Sequence, residues 1–450
     1  MNASPAEPHT RRATRRRPPL LLAAPLFLAV QALLPAPARA QAADVKYETG
    51  LSILHSDNIG LTETNPRDDT VISPFLRFEA DHESSSLRLK ARGRAEYLHY
   101  TGNSYDDEWR GELSAQLNWS ILPERVELVV SDWLIRAPVD VFTNFVPTNQ
   151  QEVNVFQAGP SFFARFNATT HGQLDLRYVN TQAEETRDFN GDRFKAAARL
   201  MREFTPTASG SLNIDVARVQ FDRNSGSTDF TRYGAYVGLA RQLASFDLEA
   251  DLGMAWVRRD GFNGASAPTV RLRVDWRVAP RSVLSAAADY ELGDAAQYAA
   301  VDLEDTIRPI LDGLTDADLA AGPSLFRNRQ FELYYRYSGD RLSVQVHPRY
   351  QVFRYLEDTV QNQAVSGGVV EIGYLLRRNM TLAFSAERVN RRFETIDRSD
   401  HDTRFLFSLI DEFARNWAWR LDLEHNRRDS STAGFSHDVN AVALTIAYRR

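Results

Sequence analysis

From about residue 45 onward, hydrophobic and polar residues alternate one for one in stretches of roughly 10 to 14 residues. At 87–97, Leu87, Leu89, Ala91, Ala95 and Tyr97 fall on one side, while Arg88, Lys90, Arg92, Arg94 and Glu96 fall on the other. Successive strand residues point to opposite faces, whereas a helix would mix these two sets. The same alternation recurs at 246–252, 270–276, 331–337 and 417–423, with charge on one face each time. Strands of this kind meet lipid with one face and water with the other, so the pattern predicts an all-β, membrane-spanning fold.

The breaks between stretches are of two kinds. Short ones rich in Pro, Gly, Asn or Ser fall at 84–86, 122–125, 167–170, 205–208, 244–245, 279–281, 338–341, 376–379 and 414–416. Longer polar ones include 60–68, 137–149, 180–191, 222–229, 259–266, 293–325, 356–362, 394–401 and 430–436. This rhythm fits a single up-and-down antiparallel β-barrel with short periplasmic turns and longer outer loops, and predicts about 18–20 strands. The first strand is expected at 46–58 and the last at 438–449, both ends periplasmic and paired to close the barrel. Val442, Leu444, Ile446 and Tyr448 share one face of the last strand, which resembles the C-terminal signal read by the barrel-assembly machinery. It departs from that signal in finishing Tyr448-Arg449-Arg450 rather than on Phe or Trp.

Composition narrows the picture further. A mean hydropathy of −0.40 is too polar for a helical membrane protein, and after residue 40 no apolar run approaches the ~18 residues of a spanning helix. With no cysteine among the 450 residues, disulfides, thiolate zinc sites and cysteine nucleophiles are excluded together. Residues 1–40 read as an export signal. Arg11, Arg12, Arg15, Arg16 and Arg17 precede the apolar stretch 20–34, and Ala38-Arg39-Ala40 offers a small-x-small cleavage site. N-terminal sequencing of outer-membrane material is therefore expected to begin at Gln41. Losing this leader, with six arginines and one glutamate, takes the formal net charge from −6 to −11. Outside the leader no basic-aromatic stripe of the nucleic-acid-binding kind occurs. The expected partners are outer-membrane lipid and the assembly machinery, with a polysaccharide and periplasmic export components if the chain serves polymer export.

Two strands carry the main candidate chemistry. Arg88, Lys90, Arg92 and Arg94, with Arg271, Arg273 and Arg277, would present basic side chains to a water-filled lumen and attract anions. Alternatively they pair with Asp175, Asp215, Glu249, Asp251, Asp289, Glu291, Asp422 and Glu424 and hold a wide, wet barrel in shape. The connection 293–325 is the longest, and Asp302, Glu304, Asp305, Asp312, Asp316 and Asp318 interrupt apolar residues at helical spacing within it. Such a loop is expected either to fold back as an acidic constriction against lumen bases or to cap the mouth from outside. Tyr334, Phe353 and Tyr355 are candidate sugar-stacking rings where they face the lumen, although ordinary strand packing is the preferred account of them. No H-E-x-x-H or G-x-S-x-G occurs, and no cofactor is expected. Asp397, Asp400, His401 and Asp402 are oxygen-rich without a defined calcium spacing, which reads as a solvated loop.

The segment 47–59, in which a Gly-containing strand runs into Asp57-Asn58, resembles the opening of a β-barrel porin family associated with exosortase (PEP-CTERM) and exopolysaccharide biosynthesis gene clusters. So do 72–75 and 154–162, the latter preceding 174–178. The resemblance implies a barrel with a periplasmic entrance and a part in exopolysaccharide production or export, and it supplies no catalytic residues. The expected function is accordingly a non-enzymatic outer-membrane conduit or accessory barrel. A general diffusion porin and a structural barrel with a plugged lumen are the alternatives.

Overall fold

The computed structural model describes residues 44–222, 227–297 and 321–450. Both the leader with its cleavage site and the six acids of the long loop lie outside the described residues. Twenty strands follow in order: β1 (Asp44–Ser56), β2 (Asp69–Glu83), β3 (Leu87–Tyr100), β4 (Glu108–Leu122), β5 (Val126–Pro138), β6 (Gln150–Arg165), β7 (Thr170–Ala183), β8 (Gly191–Thr205), β9 (Ala208–Phe221) and β10 (Phe230–Gln242). The second half continues with β11 (Phe246–Arg259), β12 (Ala265–Ala279), β13 (Ser282–Gly293), β14 (Phe326–Ser338), β15 (Leu342–Tyr355), β16 (Gln363–Arg377), β17 (Met380–Phe393), β18 (Arg398–Ala414), β19 (Trp417–Ser430) and β20 (His437–Arg449). Each pairs antiparallel with the next, and β20 returns to β1 with Glu48 opposite Arg449 and Ser56 opposite Ala441. Closure gives every strand a neighbour on both sides, the condition for a sheet to sit in hydrocarbon.

Register separates the two faces all the way round. The outward positions carry exposed Leu51, Ile53, Leu212, Ile214, Leu252, Leu272, Leu444 and Ile446, an apolar band of the kind lipid requires. Aromatic rings mark its two edges. Trp109 and Trp256 lie toward the long-loop ends and Phe166, Phe204, Trp276 and Trp417 toward the short-turn ends, all exposed. The inward positions carry most of the charge, paired along one strand or across neighbouring strands.

Two local features differ from the sequence reading. A tenth long connection, 101–107 between β3 and β4, was not among those singled out, because its polar tract is short and runs on from a polar strand end. The Asp69 carboxylate organises it, accepting hydrogen bonds from Gly102 N (2.7 Å) and Ser104 N (3.1 Å). In the same loop Asp107 accepts from His99 Nδ1 (2.8 Å), Tyr100 N (3.1 Å) and Tyr97 Oη (3.0 Å), which holds its carboxyl below the usual carboxylate range. The second difference is at 394–401, expected as a loop. There β18 begins at Arg398, so Asp400, His401 and Asp402 are strand residues rather than a solvated cluster.

Gly50 is required where the barrel closes. A Cβ at this position would run into the Ile446 carbonyl oxygen of β20 and the Phe75 ring of β2. Gly50→Val is expected to destabilise the folded barrel by about 1–3 kcal/mol, the usual cost of overpacking. Loss of the heat-modifiable, fast-migrating form at lower temperature in gel electrophoresis would register it.

Candidate functional site

The inner wall is the only surface on which the sequence-predicted bases can act, and register places them there. On β3, Arg92 lies opposite Glu79, Lys90 opposite Asp81 and Arg88 opposite Glu83 of β2. Arg88 reaches Glu127 at 3.3 Å, Arg92 reaches Glu79 at 3.4 Å and Arg94 reaches Glu96 at 2.6 Å. On β12, Arg271 bridges Glu291 and Asp251, Arg277 binds Asp247 at 2.7 Å, and Arg273 lies opposite Glu249. The acids that meet the β3 bases come from adjacent positions that the sequence reading had not selected. Elsewhere the same logic repeats, with Arg177 on Asp175 at 3.3 Å, Arg232 on Asp215 at 2.6 Å, Arg420 on Asp422 at 2.7 Å and Arg404 on Glu424 at 2.8 Å. Arg177–Asp175, Arg420–Asp422 and Arg94–Glu96 pair along one strand, whereas Arg232–Asp215 and Arg404–Glu424 pair across neighbouring strands, the sheet's own stabilising unit, and both kinds leave the wall mixed in sign.

Toward the outer end the lumen is occupied. Residues 139–149, between β5 and β6, leave their own wall and reach the inner faces of β17 to β19. There Arg398 Nη1 donates to the Phe142 carbonyl (2.6 Å) and Arg428 Nη1 to Asn144 Oδ1 (2.8 Å). Asn144 Nδ2 donates in turn to the Leu61 carbonyl (2.7 Å) of the β1–β2 loop. The Phe142 ring packs on Phe393, 5.2 Å between centroids. Asn149 braces the strap from within, accepting from Asp140 N (2.9 Å) and donating to the Asp140 carbonyl (2.8 Å). Its docking ground is rigid. Arg398 and Asp400 form a buried pair at 2.8 Å, Arg398 lies over the Phe435 ring at 3.8 Å, and Asp402 holds Arg428 at 2.6 Å and Arg391 at 3.5 Å. Of the acids in the oxygen-rich run 397–402, Asp400 and Asp402 are thus counter-ions for arginines that fasten the strap.

The two described ends of the long loop also turn inward. Asp294 pairs with Arg193 of β8 at 2.6 Å with both side chains almost wholly buried, and Arg232 Nε donates to the Leu292 carbonyl (3.1 Å). Ala295, Ala296 and Ala321 pack on Trp133, Val153, Val155, Val179 and Phe189 of the far wall. The loop's first acid therefore meets Arg193, a base outside the two strands that sequence reasoning had selected.

Between these features β14 and β15 present a different surface. Asn328, Gln330 and Gln351 form a ladder of amides, with Gln351 Nε2 donating to Asn328 Oδ1 (3.1 Å) and Gln330 Oε1 (3.3 Å), and Gln330 Nε2 to Glu332 (2.6 Å). Tyr334 Oη donates to Gln345 Oε1. The ring candidates sit on this wall, but their faces are taken. Phe353 and Tyr355 pack on Phe326 at centroid distances of 5.3 and 5.1 Å, and the Arg336 guanidinium lies over Tyr334 at 5.2 Å. The clear alternation of β14 begins at Phe331, which leaves the amides just outside it. Two residues earlier, Asn328 and Gln330 already continue the polar parity of Glu332 and Tyr334.

No family model matches this chain, and no curated protein does. Among solved structures it is similar to the copper transporter OprC at 12% identity and a TM-score of 0.45, over 92% of this chain and 82% of that chain. OccAB4 of Acinetobacter baumannii matches at 10% and 0.37 over 92% and 100%, and OpdK of Pseudomonas aeruginosa, solved with vanillate, at 11% and 0.36 over 90% and 98%. The closed twenty-stranded sheet, the apolar outward band and the aromatic rims together make the chain a bacterial outer-membrane β-barrel.

Proposed function

We propose that the barrel is a transport conduit, and that its cargo is a neutral extracellular polysaccharide on its way out of the cell. The observation that carries this reading is the row of half-buried amides Gln330, Gln351 and Gln345 on the inner wall, backed by the fully buried Asn328. Amides donate and accept at once without net charge, so they exchange hydrogen bonds with hydroxyl groups along a chain. Conduction needs contacts favourable enough to admit the polymer yet weak and repeated enough to release it, which a ladder of neutral groups supplies better than a single charged site. The basic side chains, Arg88, Lys90, Arg92, Arg94, Arg271, Arg273 and Arg277, keep the wall wet and shaped through their acidic neighbours. Periplasmic export components would deliver the polymer at the short-turn end, and β20, with Val442, Leu444, Ile446 and Tyr448 outward, would be the strand read by the assembly machinery.

The test is blockage of ion current in planar bilayers by neutral oligosaccharides added on the short-turn side. Gln330→Leu with Gln351→Leu should shorten the blocking events severalfold and leave the open conductance nearly unchanged. Blocking that is insensitive to both substitutions, or absent in the native barrel, would favour a general diffusion porin.

A further inference from the structure

The wall of the barrel is not laddered to its full height. Between β4 and β5 the register runs from Leu122 opposite Val126 up to Leu113 opposite Leu134 and stops there. Both strands continue outward, β4 to Glu108 bonded only to β3, and β5 to Pro138 bonded only to β6. Side chains alone bridge this upper seam. Arg136 donates to Glu112 (2.9 Å) and to Gln150 (3.2 Å), and the Glu152 carboxylate reaches over from β6 to accept from Gly111 N (3.1 Å). Unpaired main-chain groups are costly where water does not reach them, and Gly111, Leu134, Ala137 and Pro138 along the seam are buried, so this break in the ladder at the level of the rim residue Trp109 calls for a function.

Two further observations converge on it. Below the seam, Asp132 and Asn154 take the outward parity of β5 and β6 and bond to each other at 2.6 Å. Asp132 is fully buried and its Oδ2 has no hydrogen-bond partner among the described residues. Behind the seam, the inward faces of the same strands carry Trp133, Val153 and Val155, an apolar lumen surface covered by the small side chains Ala295, Ala296 and Ala321. The axial mouth above is crossed by the strap at 139–149.

We propose that the β4–β5 seam is a lateral opening, through which an amphiphile with a neutral, hydroxyl-rich head passes between the outer leaflet and this apolar lumen surface. The carboxylates Glu108, Glu112, Glu152 and Asp132 outweigh Arg110 and Arg136, so they disfavour an anionic head and accept hydrogen bonds from hydroxyls. The apolar tail takes the place of Ala295, Ala296 and Ala321 against the buried Trp133, Val153 and Val155. The proposal does not depend on the polymer reading above.

The native barrel in vesicles containing an alkyl glucoside with a photoactivatable tail tests it directly. Labelling is expected on the inward residues Trp133 and Val155 severalfold above the outward face of β14. A label confined to outward faces would overturn the proposal, and so would equal labelling of Trp133 by an alkyl sulfate of the same tail. Because the chain has no cysteine, Glu112→Cys with Arg136→Cys gives a unique pair for a short bismaleimide staple. Stapling should abolish inward labelling, while a staple across the fully laddered β16–β17 pair, Ser366→Cys with Asn390→Cys, should leave it unchanged. Inward labelling that survives the β4–β5 staple would overturn the lateral route.

Discussion

Leu272→Arg is expected to remove most of the folded barrel from lipid vesicles, while Arg271→Leu one position away keeps most of it. Leu272 lies at the centre of β12 on the exposed apolar face, so an arginine there meets hydrocarbon at mid-depth. That costs about 2–4 kcal/mol, a shift of roughly thirty- to several-hundred-fold in the folding equilibrium. Arg271 faces the water-filled side, where its guanidinium meets Glu291 and Asp251 and lies over the Tyr236 ring. Removing it frees Asp251, which water can solvate, and the mostly buried Glu291, so some folding yield is lost, but less than for a charge placed in hydrocarbon. The pore should then become more cation-selective, with the barrel intact. Folding into vesicles followed by gel mobility reads the first effect, and reversal potentials across a salt gradient read the second. Equal folding yields for the two variants would mean that the face assignment is wrong.

Replacing residues 140–148 with a short glycine-serine turn should raise single-channel conductance severalfold, the largest functional change expected from any single alteration. The strap is tied at its far end by Arg398 and Arg428 and at its side by Leu61, so it obstructs the lumen as a fixed beam. Phe142→Ala with Asn144→Ala should give an intermediate rise by loosening the tie without shortening the loop. Mutating Arg398 is a poorer probe, because it would strand buried Asp400 at a cost of about 3–5 kcal/mol and confound opening with unfolding. Raising salt should change the native conductance only as bulk conductivity does, since the tie is largely buried and hydrogen-bonded rather than screened at long range. An unchanged conductance in the shortened barrel would show that the beam lies clear of the conducting path.

What the sequence made legible was local. Period-two alternation placed the strands and their faces, and turn chemistry placed every short connection, because both depend on residues a few positions apart. The pairing of β1 with β20 followed from the even strand count. The site was harder to read, since its contacts join distant positions. Phe142 meets Arg398 and Asn144 meets Arg428 across separations of 256 and 284 residues, with no periodic signal to announce them. Arg398 and Asp400 looked like loop residues because a polar run in sequence carries no mark of the strap that buries it. The seam is equally silent in the alternation, as β4 and β5 keep their period through residues that never pair with one another.

The junction of β1 and β20 also sets the order of events in assembly. Arg450 N donates to the Tyr47 carbonyl at 2.9 Å and Tyr47 N to the Arg450 carbonyl at 2.8 Å, while Arg449 binds Glu48, 401 positions away. Tyr448 packs between Tyr47 and Trp417, which supplies at the penultimate turn of the pattern the aromatic contact that a terminal Phe or Trp would otherwise make. Every other strand can zip to a neighbour already made, but β1 must wait, its outer edge bare, until the last strand arrives. The β1–β20 pairing spans the greatest sequence separation in the sheet, so its search is expected to be the slowest of the strand pairings, and bulk introduced beside Arg449 would hang on the clasp itself, delaying closure even where the finished barrel tolerates it.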